Sequence, residues 1–332
     1  MNHKGSFFFF FFMTCFTAWG GISDGYSNST LAKSAKPWKI LSGLRYWYST
    51  GNITWNHNPS LIEPLLGNPA SILTYSGMHG HTAEVYFRAE HNSGLFIKGY
   101  VGGGGISSGS LDDEDFLSGQ IKFFNTLSSL KSGNIRYINV DFGVTLSEGT
   151  SEKSLLNNKF RIDSFWGYLY WNEKVHAFGV RCKPDDVEGI FCGPPGFIHI
   201  PFSVNGISNE LEWNALRLGL TGETSISSRL KLSIEAAYLP LADMSDKDSH
   251  YLREDLEDGP NVILKGMGRG WMLEAIADYE LIPHFNIGLG GRYWDLRSDG
   301  KVWFGGLNVE TPLNRLRSKR YGIFAQASLQ IT

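Results

Sequence analysis

Along most of the chain, apolar and polar residues alternate with a period of two. In "TAEVYFRAE", Ala83, Val85, Phe87 and Ala89 share one face, while Glu84, Tyr86, Arg88 and Glu90 share the other. "YINVDFGVTL" sets Ile138, Val140, Phe142, Val144 and Leu146 against Asn139, Asp141 and Thr145. The last stretch, "YGIFAQASLQI", lines up Tyr321, Ile323, Ala325, Ala327, Leu329 and Ile331. Successive side chains on a strand point to opposite faces, so each stretch predicts a strand with one apolar and one more polar face.

Ten such segments are found, over 38–51, 71–90, 95–112, 134–148, 160–181, 210–225, 229–246, 262–282, 286–299 and 317–332. Many are long for a soluble sandwich, whose strands average about 5–6 residues, and suit membrane crossing at about 9–11 residues. The links "HNSG", "SISSR" and "LIPHF" are short, whereas the first, third, fifth, seventh and ninth links are long and rich in Gly, Pro, Asn and acids. That alternation predicts an all-β, ten-stranded antiparallel transmembrane β-barrel with periplasmic turns, external loops and both termini inside. Trp47, Tyr48, Trp171 and Trp294 near strand ends suit interfacial girdles, and core packing would also explain several.

The first residues change the picture only in destination. "MNHKGSFFFFFFMTCFTAWGG" has a basic start and a short apolar run, which predicts a signal peptide over 1–20. A polar lead-in over 21–37 and one barrel domain over 38–332 follow, in the outer membrane of a Gram-negative-type bacterium. The formal net charge of −3 and the lack of a basic run exclude a nucleic-acid partner. Cys182 and Cys192 can close a loop in an oxidising compartment or stay as two thiols.

Candidate chemistry lies at two external strand ends. Segment 7 runs into "ADMSDKDSHYLRE", with Asp246, Asp248 and His250 at every second position. Segment 3 ends in "GSLDDEDFLSG", with Asp113 and Asp115 two apart. Alone, each reads more simply as a solvated acidic loop or a surface histidine. The "VGGGG" run lies on a strand without a following helix, so it suits close packing or barrel curvature and not phosphate binding.

"LDDEDF" followed by "SDKDSHY", with "YSTG" and "SILTY" earlier, resembles the omptins, outer-membrane aspartyl-type proteases built as ten-stranded barrels. The resemblance implies an endopeptidase in which Asp113 and Asp115 face Asp248 and His250. His250 would take a proton from the attacking water, Asp248 would orient the imidazole, and the other pair would position the water. It implies no cofactor or metal, a peptide or protein substrate, and contact with outer-membrane lipid, including lipopolysaccharide. Asp246 matches an acid that holds a basic substrate side chain, but its partner is absent, because no Asp or Glu lies between Asp24 and Glu63. The alternative is a barrel without catalysis: an adhesin, surface-structural protein or pore. Parity sets a condition: unbroken alternation through segment 7 turns Asp248 and His250 outward, and a bulge at Pro240 would restore them.

Overall fold

The computed structural model describes residues 37–151 and 158–331. The expected signal peptide, and the lead-in up to residue 36, lie outside the described residues. Ten strands follow in order: β1 (Trp38–His57), β2 (Ser71–His91), β3 (Leu95–Leu117), β4 (Ile121–Ser151), β5 (Asn158–Cys182), β6 (Ile198–Ser225), β7 (Leu230–His250), β8 (Val262–Ile282), β9 (Phe285–Phe304) and β10 (Val309–Ile331). Each pairs antiparallel with its sequence neighbours, and β1 pairs with β10 to close the barrel. Among the described residues no helix is long and apolar enough to cross a membrane, so any crossing is made by strands.

Strand existence and order follow the sequence pattern, but the outer ends run further than alternation predicts. β3 continues to Leu117 and β4 starts at Ile121, so their link is a tight turn and not a long loop. β9 and β10 are likewise joined by a short turn after Phe304. In these extensions polar side chains occur on both faces, which hides the period-two signal.

The alternation sorts the two barrel surfaces. Outward residues such as Leu44, Val85, Ile234, Leu289 and Ile323 are exposed. On β10 the outward side is free of charge from Tyr321 to Ile331. Ten residues at about 3.3 Å each, tilted roughly 40°, give an apolar band about 25 Å tall, the height a bilayer core requires. Tyr46, Tyr48, Trp166, Tyr168, Trp271 and Tyr321 lie exposed on this outer surface. Trp47, Trp171 and Trp294 do not belong to a girdle: they are buried at 0–1% exposure inside the barrel. There they pack with Tyr137, the Trp171 and Trp294 rings meeting edge-on at 4.2 Å.

Below that aromatic layer the lumen is filled with paired charges. Glu84 receives Arg45 and Arg292, each at 2.9 Å, and Arg292 also reaches Glu274 at 2.6 Å. Arg217 joins Asp141 at 2.8 Å and Glu235 at 2.7 Å, and Lys98 closes on Glu235. Arg320 pairs with Glu173 near the tryptophans. Such groups survive burial because each charge has a partner. Gly102 lets this filling close up, since a Cβ there would fall inside the Tyr137 ring.

Two outcomes follow from a filled lumen. Arg292→Ala removes one of the two cations from both Glu84 and Glu274, leaving Arg45 alone between two acids, and is expected to cost about 3–5 kcal/mol, read by urea unfolding of the refolded barrel. The intact protein in a planar bilayer is expected to show no stable single-channel conductance; steady openings would mean that the charge layer is not a plug.

Candidate functional site

The upper end of β7 depends on one irregularity. Register with β8 slips between Leu239 and Ala242, and register with β6 slips between Ala215 and Leu218. Pro240 lies in that slip and has no N–H to give to the ladder, so an extra residue is accommodated there. Before the bulge, Ala237 and Leu239 face the lumen; after it, Ala242, Met244, Asp246 and Asp248 do, all at 0–1% exposure. The parity condition is met, and the acids turn inward.

β3 changes phase in the same way. Ile106 and Leu111 are both buried although they lie five positions apart, and the ladder with β2 shifts beside Ser76 and His79. Beyond the shift, Asp113 pairs with buried Leu73 and Asp115 with Ser71. The intervening Asp112 and Glu114 point the other way, to Lys183 and to Lys122 at 2.8 Å. Of the four acids in "DDED", two face in and two are neutralised on the outer surface.

Tyr75 connects the two walls. It pairs with Leu111 on β3, is fully buried, and its hydroxyl donates to Asp248 Oδ1 at 3.0 Å. Asn209 on β6 donates to Asp246 Oδ1 at 2.7 Å. Asn261 pins the end of β7 by accepting from the His250 N–H at 2.9 Å and donating to its carbonyl at 3.2 Å. Tyr75 lies in the quoted "SILTY", but nothing in the sequence marked its role. Asn209 and Asn261 carry no motif at all.

These groups sit beyond the apolar band, and burial dominates their titration. It pushes the Asp248 carboxyl up to about 7, against the pull of Asn209, Tyr75 and Trp55. Asp113 is pushed well above the usual carboxylate range by burial, then by Asp115 and by Asp248 across the mouth. Asp115 is raised by burial and held back by Ser71 and Arg253. Asp246 is raised by burial and by Asp248. Burial lowers His250 to about 4, with the Arg253 cation acting in the same direction, so its imidazole is neutral at pH 7.

Two of the site residues lie away from the contacts that the resemblance implies. Among the described residues no hydrogen bond joins Asp248 to His250: one Asp248 oxygen is taken by Tyr75, while Asp248 Oδ2 and His250 Nε2 are buried without a partner. Asp248 therefore does not orient the imidazole in this conformation. Asp246 is fully buried against Asn209, so no substrate side chain reaches it here. Arg253, bonded to Asp255 at 2.7 Å, also acts electrostatically on Asp113 and Asp115. Cys182 and Cys192 form a disulfide, with Cα atoms 5.8 Å apart, that closes the loop after β5. Among the described residues no group of three or more His, Cys, Asp or Glu is arranged to hold a metal ion.

The sign of the Asp248 shift makes a stability prediction. A raised carboxyl pKa means that the folded state holds a proton the unfolded chain releases near pH 4. Stability is then full below about pH 4 and falls as pH rises toward 7. Asp248→Asn is expected to remove that slope, gaining on the order of 2–4 kcal/mol relative to the parent between pH 4 and pH 8. Urea unfolding at both pH values reads this; parallel curves would contradict it.

No family model matches the chain, and no curated protein matches it in sequence. Among solved structures, the outer membrane protease OmpT of Escherichia coli aligns with 91% of this chain and 100% of its own, with a TM-score of 0.68 and 15% identity. The toluene transporter TbuX of Ralstonia pickettii aligns over 90% of each chain at 10% identity, but its TM-score is 0.29. A FadL homologue of Pseudomonas aeruginosa covers 88% of this chain and 90% of its own at 10% identity, with a TM-score of 0.23. Strand number, closure and the OmpT superposition together give this chain the fold of the omptin-type outer-membrane β-barrel.

Proposed function

We propose that the protein is an outer-membrane endopeptidase of omptin type, with water activated at the outer mouth between Asp113/Asp115 and His250. The observation that carries this reading is the pair of buried, unpartnered polar atoms, Asp248 Oδ2 and His250 Nε2, in a mouth that Asp113 and Asp115 face from β3. Buried polar atoms without protein partners are where an ordered water belongs.

In the proposed reaction the neutral His250 takes a proton as water attacks the peptide carbonyl carbon, and then returns it to the leaving amine. Asp113 and Asp115, both raised, share a proton and hold the other side of the water. Tyr75 keeps Asp248 in place, and Asn261 fixes the backbone that carries the imidazole.

A second reading is a barrel without catalysis that presents an adhesive surface. It is favoured by the complete burial of Asp246 and Asp248, and by Leu61, Leu65 and Ile190, all over 70% exposed on outer loops.

The two readings part on one assay. Refolded protein is mixed with a diverse peptide library, with and without lipopolysaccharide. Cleavage is expected, with kcat/KM falling about 10²–10⁴-fold in Asp113→Asn and His250→Ala variants that unfold like the parent. No cleavage under either condition, or cleavage untouched by both substitutions, rejects the endopeptidase.

A further inference from the structure

Of the nine histidines in the chain, only His79 and His81 stand two positions apart. Both lie on β2, and alternation turns them to the outer face. There His81 is exposed and His79 half-buried, while Met78 and Gly80 are buried on the inner face. His81 pairs in register with Tyr48, and His79 with Thr50, whose other neighbour is Tyr321. The two imidazoles therefore sit at the upper edge of the apolar band, where the wall meets water.

Each ring is held at the same nitrogen by a tyrosine hydroxyl. Tyr46 Oη lies 2.6 Å from His81 Nδ1, and Tyr48 Oη lies 3.1 Å from His79 Nδ1. Both contacts run diagonally from β1 to β2, so one pattern is repeated a step higher. Tyr48 also packs against both rings, nearly parallel to His79 at 5.9 Å and tilted against His81 at 5.1 Å. An imidazole carries its two nitrogens on different sides, so both Nε2 atoms turn away from the tyrosines. Among the described residues neither Nε2 bonds to a protein group. On the side of β3, the neighbour of His81 is Gly105, which brings no side chain into that space.

A membrane-interface belt does not require this arrangement. Single amphipathic rings of Tyr and Trp are enough for one, and a belt histidine gains nothing from having its tautomer fixed. A metal-ligating histidine does gain, because a partner on the far nitrogen sets both tautomer and ring orientation. When Nδ1–H donates to the tyrosine oxygen, Nε2 carries the free lone pair. The spacing agrees. Residues two apart on a strand lie about 6.7 Å from each other. An ion bound at about 2.0–2.1 Å by two nitrogens needs them roughly 3.3 Å apart, so each ring tip leans inward by roughly 1.7 Å.

We propose that His79 and His81 are a chelating pair for a divalent transition-metal ion on the outer wall, bound through both Nε2 atoms. Tyr46 and Tyr48 orient the rings from Nδ1. Imidazole donors select ions such as Zn²⁺, Cu²⁺ or Ni²⁺ over Mg²⁺ and Ca²⁺. With two protein ligands, water completes the coordination, so the bound ion stays exchangeable with the medium. This makes the pair a surface capture site and not a structural clasp. It lies on the outside of the wall, apart from the acids of the mouth, and does not depend on catalysis.

The test uses the refolded full-length barrel, without an affinity tag, in detergent micelles. Zn²⁺ alone is titrated by calorimetry, and Cu²⁺ alone is added for electron paramagnetic resonance, which counts the nitrogens bound. A two-nitrogen Cu²⁺ spectrum is expected. His79→Gln and His81→Gln are each expected to weaken Zn²⁺ binding at least tenfold, and Tyr46→Phe/Tyr48→Phe about tenfold. His91→Gln, at the inner end of the same strand, keeps the parent affinity. Circular dichroism melting confirms that each variant is folded. Unchanged affinity in any of the first three variants overturns the proposal. So does a one-nitrogen spectrum in the parent, or Ca²⁺ competing as strongly as Zn²⁺.

Discussion

Strict alternation along a strand is the constraint on which everything here depends. A side chain's destination, whether lipid, lumen or mouth, is fixed by whether its position is odd or even, until the backbone inserts an extra residue. Below Pro240 the odd positions of β7 line the lumen, and above it the even ones do. Without that slip Asp246 and Asp248 would face outward, and the acids of β3 would have nothing opposite them. Proline suits the position because it cannot complete the ladder it interrupts. A matching change of phase on β3 delivers Asp113 and Asp115. The mouth is thus assembled by two local departures from the rule that builds the wall.

The lumen follows the same rule with a different outcome. Inward positions at membrane depth carry Arg, Glu, Asp and Lys, which no apolar core would accept singly. They are tolerated because neighbouring strands supply opposite charges in register, so Glu84 meets two arginines and Arg217 meets two acids. Above them the buried tryptophans and Tyr137 take over, then Tyr75 and the acids. From inner end to mouth, the contents pass from ion pairs to aromatic packing to isolated carboxyls whose charge is only partly supported.

The fold was legible because half of each membrane-crossing segment must be apolar, which leaves a period-two trace. Ten segments were countable in the right order, although two of the five links read as long are short turns. Beyond the bilayer that constraint lapses: β4 begins at Ile121 and β6 at Ile198, well before the alternation that marked them. The tryptophans misled for a related reason, since a large ring near a strand end fits a girdle and a lumen equally, and only parity separates Trp47 from Tyr48. At the site, the acids and His250 were readable from spacing and resemblance. Tyr75, Asn209 and Asn261 were not, because their roles come from strands brought together by closure, and Arg253's from a loop whose path spacing does not encode.

The ionic floor has a consequence for the mouth above it. Arg45, Glu84, Arg292 and Glu274 are locked together with the indoles packed over them, so ion pairs and rings fill the lumen beneath the mouth. The direct route for protons to Asp113, Asp248 and His250 is then through the mouth, from the medium outside the cell. The ionisation of these groups answers first to the surroundings the organism lives in.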